Sequence, residues 1–159
     1  MLPIMLSCIE TLLEHNFACR EPLLEAVKQL SPEEFTKDLG VGRNSIHEIL
    51  IHLVNTEIYW IDHVLRGTAT EQLLSKDYAD IKSIREAWKS VETATREFLR
   101  DQNERELQYV RSVTWGDVTV SFTVAKALVH FATHETHHRG LVVGLLRQMG
   151  YNAPDVNMM

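Results

Sequence analysis

The sequence is poor in the residues that interrupt helices. Its 159 residues include only 7 glycines and 4 prolines, whereas a chain of many short strands needs both residue types at its turns. The hydrophobic fraction of 45% and the charged fraction of 24% are ordinary for a globular protein. The length suits one domain that covers residues 1–159. We therefore expect a mainly helical, single-domain protein.

Positive charge, cysteine and long apolar runs are also scarce. The formal net charge is −6, which opposes binding to nucleic acid and to anionic membrane surfaces. Cys8 and Cys19 lie on one predicted helix with α-carbons roughly 16 Å apart, too far for a disulfide, and we interpret both as small core residues. Because no stretch has the pattern of a leader or a membrane span, we expect a cytoplasmic protein without nucleic-acid or membrane partners.

Apolar residues recur at spacings of three and four positions in four long segments, which predicts four amphipathic helices. A kink or a division is expected at Pro22 in the first helix. Ser31 and Pro32 indicate a short additional helix, and Ser45 and Glu48 have the spacing of a capping box. The prediction is an all-α four-helix bundle, with long helices over about residues 3–30, 45–66, 81–100 and 122–149.

The periodicity changes between Leu107 and Phe122. Residues 109–113 and 118–120 are rich in β-branched and aromatic side chains, and Trp115-Gly-Asp117 lies between them. This pattern predicts a small β-hairpin, or an extended crossover, before the last helix.

Histidine is the unusual component of the sequence, because four of the eight histidines lie between positions 130 and 138. His134 and His138 are four residues apart, which places both imidazoles on one face of the last helix. Two such nitrogens can bind one metal ion at about 2.0–2.1 Å. His52 lies on the inward apolar stripe of the second helix, beside Ile49 and Leu53. Metal binding explains both placements, because unpartnered polar groups on apolar faces are costly.

The pattern therefore predicts one divalent transition metal ion bound by His52, His134 and His138. Imidazole suits zinc, nickel and iron(II). A simpler interpretation of each part remains open: a core histidine is often hydrogen-bonded to a neighbour, and a histidine pair on a helix can be a solvated cluster. His130 is a candidate fourth ligand or an aromatic core partner, and His137 is expected at the surface. We expect three histidines outside the site: His15, His47 and His63.

The segment 134–138 also matches His-Glu-x-x-His, the zinc-peptidase pattern in which the glutamate acts as general base. This match makes Glu135 a candidate base or ligand, whereas the simpler interpretation is a solvated helix glutamate. Peptidases of this type usually take a third ligand further along the chain, and no histidine follows His138. We therefore favour other metal chemistry.

The sequence resembles the DinB family of damage-inducible-type, metal-binding four-helix bundles. The resemblance rests on Ser45-Ile-His-Glu-Ile-Leu-Ile-His52-Leu53, on Trp115-Gly-Asp117 and on His134-Glu-Thr-His-His138-Arg-Gly140. It implies a three-histidine metal site open to solvent, at His52, His134 and His138, and homodimers formed through helix faces. Family members often carry glutamine after the Arg-Gly pair, where this chain has Leu141. Related families include thiol-dependent transferases and isomerases.

Three hypotheses of function remain at this point. The first is a metal-dependent hydrolase, or a transferase that uses a small thiol such as bacillithiol or glutathione, acting on a small-molecule substrate. Glu57, Tyr59 and Arg139 are then candidates near the site, although each is also explained as a surface or packing residue. The second is a non-catalytic metal-binding or sensing module with His130 or Glu135 as fourth ligand. The third is a dimeric helical interaction module without metal.

Overall fold

The structure is a computed structural model that describes residues 4–159. Its helices in chain order are α1 (Ile4–Val27), α2 (Pro32–Thr36), α3 (Ile46–Glu57), α4 (Ile81–Arg100) and α5 (Val124–Gln148). Strands β1 (Val110–Trp115) and β2 (Val118–Thr123) form an antiparallel hairpin before α5. Two short 3₁₀ helices lie at Ser75–Asp77 and Glu106–Gln108.

The predicted helical fold with a hairpin before the last helix is confirmed. The four long helices are α1, α3, α4 and α5, and α2 is the short helix expected after Ser31. The expected start of the first helix at Pro3 lies outside the described residues. The helix α1 continues through Pro22 as one element, so the predicted division there is wrong. The buried side chains of Arg20 and Leu23 on either side hold this part of α1 against the rest of the protein.

The junction between the hairpin and α5 differs from the prediction. Phe122 and Thr123 extend strand β2, where they pair with β1, so α5 begins at Val124 rather than at Phe122. The Thr123 hydroxyl accepts the first helical hydrogen bond, from the Lys126 amide. Trp115 also belongs to a strand, which leaves Gly116 and Asp117 as a two-residue turn.

The expected capping box at the start of α3 is only half formed. The Ser45 hydroxyl accepts a hydrogen bond from the Glu48 amide at 3.1 Å, but the Glu48 carboxylate accepts one from the Ser75 hydroxyl at 2.8 Å. The reciprocal arrangement occurs instead at α2, between Ser31 and Glu34. The start of α3 is thus defined by Ser45 alone, and Glu48 helps to hold the loop that contains Ser75.

The second long helix changes its winding after Glu57. Residues Ile58–Leu65 continue α3 as a π-helix, a rare form that often lies at functional sites. The spacing of apolar residues predicted one regular helix to about residue 66 and did not reveal this change. Tyr59 and Trp60 belong to this segment, and both line the cavity described below.

The buried apolar side chains form two clusters, separated by a polar layer. On α1, one cluster ends at Phe17 and the other begins at Leu23. On α5, the corresponding limits are Ala132 and Val142. The polar side chains of the layer therefore lie between two apolar regions, where each needs a partner.

The centre of this layer is the buried guanidinium of Arg20 on α1. It contacts the carboxylate of Glu135 on α5 at 2.6 and 3.0 Å, that of Glu57 on α3 at 2.8 Å, and that of Glu92 on α4 at 3.1 Å. Glu57 also accepts hydrogen bonds from two α4 side chains, Trp88 at 2.9 Å and Thr95 at 2.6 Å. One guanidinium thus joins all four long helices.

These contacts shift the pKa values of the buried partners. Burial lowers the pKa of Arg20, but the nearby carboxylates of Glu135 and Glu57 outweigh burial and raise it above its ordinary value. Burial raises the pKa of Glu57 above its ordinary value, although the charge of Arg20 opposes this shift. The charged guanidinium is therefore strongly favoured inside the protein.

Both cysteines are free, as predicted, but only Cys19 is buried. The expected core position of Cys8 is wrong, because that residue lies on the exposed side of the first turns of α1. Among residues 4–159, no helix has the length and apolar character needed to cross a membrane.

The Arg20 contacts predict a strong dependence of stability on this side chain. The Arg20→Met variant leaves Glu57 as a buried carboxylate without a cation and leaves Glu135 with only the more distant guanidinium of Arg139, at 3.8 Å. We therefore expect a loss of about 3–5 kcal/mol in the free energy of unfolding in urea. The control is Lys28→Met, which breaks an exposed ion pair with Glu25 and should cost about 1 kcal/mol or less. Equal losses in the two variants would contradict a central role for Arg20.

Candidate metal centre

Three imidazoles from two helices meet at one point. His52 on α3 and His134 and His138 on α5 each offer a ring nitrogen, and these three atoms lie within 4.8 Å of one another. The Nε2 atoms of His52 and His134 are 3.1 Å apart. Nitrogens bound to a tetrahedral zinc ion would be about 3.3 Å apart. The predicted residues are thus brought together at a spacing that could hold one metal ion.

The rotation of α5 that aims His134 and His138 is set by their neighbours. Glu135 and Arg139 each follow one of these histidines and point about 100° away around the helix, towards α1. Glu135 binds Arg20, and the Arg139 guanidinium donates to the Asn16 side chain at 2.8 Å. Because both contacts are buried, α5 cannot turn about its axis without breaking them.

The three imidazoles are held in their neutral form. Burial, followed by the positive charge of Arg43, lowers the pKa of His52 to about 4. Burial and the neighbouring His138 lower the pKa of His134 to about 4. Burial also lowers the pKa of His138, with contributions from His137 and Arg43. Neutral imidazole is the form that binds metal ions.

Two ring nitrogens at this point lack partners. Nδ1 of His134 and Nδ1 of His138 are buried and have no hydrogen-bond partner among the described residues. Histidine ligands usually donate their second nitrogen to a carboxylate or carbonyl, so the protein leaves the tautomer of both rings open. A buried polar atom without a partner is costly. Three neutral imidazole donors fit a transition metal ion. Because Nε2 of His134 faces Nε2 of His52 at 3.1 Å, such an ion would leave Nδ1 of His134 without a partner.

A cavity of about 600 Å³ opens over His52 and His134. One wall is aromatic and contains Tyr59, Trp60 and Trp115. The indole nitrogen of Trp115 donates to the Tyr59 hydroxyl at 3.0 Å, which ties the hairpin to the π-helical segment. The site is therefore reached from solvent through a walled cavity of a size typical for small-molecule ligands.

Another part of the cavity lining is the loop between the π-helical segment and α4. The side chain of Asn55 holds this loop through two hydrogen bonds to the backbone of Leu73, at 3.0 and 2.7 Å. Leu74 and Ser75 follow along the same wall. The sequence analysis did not identify Asn55, although a polar residue one turn from His52 on the same helix is a pattern that can indicate a residue of the site.

His15, His47 and His63 lie outside the group of three, as expected, and so does His130, which was a candidate fourth ligand. His130 lines the cavity with its ring centroid 6.0 Å from that of His134, and it packs against Trp60. His137 is exposed. The Nε2 atoms of His47 and His15 lie near the carbonyls of Tyr78 and Val156, respectively.

Three other candidates take structural positions. Glu135 is buried and bound to Arg20, so the expectation of a solvated helix glutamate is wrong, and its carboxylate is not free to act as the base of a peptidase. Glu57 and Arg139 are buried in the same layer rather than placed at the surface. Tyr59 alone of these candidates lines the cavity.

The lowered histidine pKa values predict that acid weakens the metal-free protein. The pKa values of His52 and His134 fall from 6.5 to about 4 on folding, so the unfolded chain binds protons first as the pH decreases. Their contribution to stability is complete above about pH 6.5 and is lost progressively towards pH 4. We expect the urea midpoint of chelator-treated protein to fall across this window.

The control for this experiment is the double variant His52→Gln/His134→Gln, which cannot titrate at these positions. Its urea midpoint should fall less steeply over the same pH range. Glu57 is present in both proteins, so its own titration cancels in the comparison. Parallel pH profiles for the two proteins would show that the histidines do not carry the effect.

Comparison with known proteins identifies a family for this chain. The model of the DinB family matches residues 5–159. The protein YizA of Bacillus subtilis is 25% identical over 127 residues, covering 80% of this chain and 79% of its own length. Protein DinB of Bacillus subtilis is 25% identical over 150 residues, covering 88% and 85%. A DinB-like protein from Bacillus cereus shares the fold, with a TM-score of 0.68, 24% identity, and coverage of 92% of this chain and 95% of that one. The chain belongs to the DinB family.

Proposed function

We propose that His52, His134 and His138 bind one divalent transition metal ion, and that the resulting centre catalyses hydrolysis or the transfer of a small-molecule thiol. The observation that carries this proposal is the meeting of three neutral imidazoles under an open cavity. Zinc, nickel and iron(II) suit three imidazole ligands. When bound, the ion would supply Lewis acidity that lowers the pKa of water or of a thiol.

The protein's own side chains supply placement and enclosure. Glu135 and Arg139 orient α5, so that its two histidines face His52. Trp60 and Trp115 cover one side of the cavity and limit access of water. His130 is an imidazole of the cavity wall outside the group of three, and we assign it the exchange of a proton with the bound substrate.

A non-catalytic metal-binding or sensing module is the alternative. Such a module needs a closed set of ligands, with His130 or Glu135 as the fourth. The Glu135 carboxylate forms an ion pair with Arg20 at 2.6 Å, so Glu135 is a poor candidate for the fourth ligand. A cavity of about 600 Å³ above the imidazoles favours a site that admits a substrate.

The proposed partners are a small-molecule substrate or thiol and a second copy of the chain. The formal net charge of −6 supports a small molecule, rather than nucleic acid or an anionic membrane, because phosphate-rich partners require a positively charged surface. The homodimer is proposed from the family resemblance, and a cytoplasmic location from the sequence pattern.

Metal content tests the first half of the proposal. Elemental mass spectrometry of the untagged protein should give about one transition-metal ion per chain, and the ion should be lost from both His52→Ala and His138→Ala, because two imidazoles seldom hold an ion tightly. The matched control is His63→Ala, an exposed histidine on the same helical run as His52, which should keep its metal. Wild-type protein without metal after reloading would overturn the proposal.

Turnover tests the catalytic half. Metal-loaded protein should hydrolyse esters or amides, or transfer a thiol to an electrophile, in a screen of small substrates, and His52→Ala should lose that activity together with its metal. A metal-loaded protein that is inactive throughout and has no exchangeable water on its ion would instead indicate the closed, non-catalytic module.

A further inference from the structure

Arg43 gives the cavity a permanent positive charge next to the imidazoles. It lies in the loop before α3 and lines the same cavity as His52 and His134. Among the cavity-lining residues that the structure describes, it is the single lysine or arginine. A ligand at the imidazoles would therefore lie within the field of this guanidinium.

The loop that carries Arg43 has a defined shape. Gly40, Gly42 and Asn44 all have positive φ angles, of 67°, 57° and 73°, a conformation that glycine and asparagine tolerate best. The loop is closed by a backbone hydrogen bond of 2.6 Å from the Leu39 amide to the Asn44 carbonyl. Arg43 is thus presented from a constrained turn, which reduces the entropy lost when it binds a ligand.

The same loop is seated against the helix that carries two of the histidines. A Cβ atom at Gly42 would approach Cδ2 of Leu141 to 2.6 Å, so the backbone there lies directly on this α5 side chain. Leu141 occupies the position where the family resemblance leads one to expect glutamine. An apolar contact here packs the Arg43 loop onto α5, one turn beyond His138.

The guanidinium of Arg43 is not neutralised by the protein. Within residues 4–159 it takes part in no ion pair or side-chain hydrogen bond, and it is exposed. The cavity also contains one acid, Glu48, but this carboxylate accepts a hydrogen bond from Ser75 and lies 3.6 Å from His47 Nδ1. The five donors of Arg43 are therefore available to a ligand.

At its aromatic wall the cavity borders a second, apolar cleft. This cleft has a volume of about 170 Å³ and shares Trp60, Trp115 and His130 with the cavity. Val120 and Phe122 of the hairpin and Ala127 of α5 complete its apolar lining, and Lys126 also lines it. The space suits a phenyl-sized or branched aliphatic group, because binding free energy is gained when the apolar surface of such a group is removed from water.

Given a site that works as proposed above, we propose that its substrate is a small organic anion, whose negatively charged group binds Arg43 and whose apolar group occupies the cleft beside Trp60 and Trp115. Arg43 and the apolar cleft together determine which molecules bind. The guanidinium binds an anionic group through charge-assisted hydrogen bonds, and the cleft binds an apolar group of limited size. Neutral polar molecules satisfy neither.

Thiols that differ only in their distal group test the role of Arg43. Binding of 3-mercaptopropionate and of neutral 3-mercaptopropanol to the cobalt(II)-loaded protein is followed by thiolate-to-cobalt absorption. We expect the wild type to bind the anion about tenfold more tightly than the neutral thiol. This ratio should fall to about one in Arg43→Gln and be partly retained in Arg43→Lys.

The matched control is Arg147→Gln, which removes the same charge from an exposed position on α5 outside the cavity. It should keep the wild-type ratio. A loss of preference as large as in Arg43→Gln would mean that only the overall charge matters, and would overturn the assignment. Loss of the preference in Lys126→Gln instead of Arg43→Gln would also overturn it, because the anionic group would then bind Lys126 in the cleft.

The apolar cleft is tested with 2-benzyl-3-mercaptopropionate, which adds a phenyl group to the same anionic thiol. It should bind about tenfold more tightly than 3-mercaptopropionate to the wild type, and Trp115→Ala should remove most of that gain. Equal binding of the two thiols by the wild type would show that the cleft takes no part in recognition.

Failure of this inference can be told from failure of the metal site. Protein that takes up no cobalt, or shows no thiolate absorption with any thiol, would overturn the three-histidine centre itself. A different result would be that the wild type and Arg43→Gln each bind the two thiols at the metal with equal affinity. That result would leave the metal centre intact and overturn only the proposal that the substrate is an anion.

Discussion

The Arg20 guanidinium lies between carboxylates from the three other long helices: Glu57 on α3, Glu92 on α4 and Glu135 on α5. Each of these charges would be expensive alone in an apolar interior. Together they form a layer that is favourable in only one relative arrangement of the helices. The two apolar clusters on either side of the layer can tolerate small sliding and rotation, whereas the geometry of a fork of hydrogen bonds cannot.

The three-histidine site depends on that layer because both use the same turns of α5. His134 and His138 alternate with Glu135 and Arg139, so one side of the helix is anchored to α1 while the adjacent side faces the cavity. A site that binds a metal ion needs its ligands placed to within a fraction of an ångström. Here the two α5 histidines are placed by a buried ion pair of Glu135 and a buried hydrogen bond of Arg139. They are not placed by hydrogen bonds of their own Nδ1 atoms, which lack partners among the described residues.

The walls of the cavity come from parts of the chain that lie far apart in sequence. The π-helical segment supplies Tyr59 and Trp60, the hairpin supplies Trp115, and the loop before α3 supplies Arg43. Direct hydrogen bonds join some of these parts, as between Trp115 and Tyr59. The floor of the site therefore belongs to the α-helices, whereas the aromatic and cationic parts of the cavity lining come from the π-helical segment, the hairpin and the loop before α3.

The sequence by itself determined the long helices, the hairpin and the choice of His52, His134 and His138 as a group, because these depend on periodicity within short segments. It did not reveal the role of Glu135, which was expected in solvent, because helical spacing shows that this residue points away from His134 but not what it meets there. Only the tertiary structure decided that the partner is Arg20, more than a hundred residues earlier. Arg43 remained unnoticed for the same reason: no local pattern shows that a loop residue faces histidines on other elements, since such proximity arises only when the helices pack.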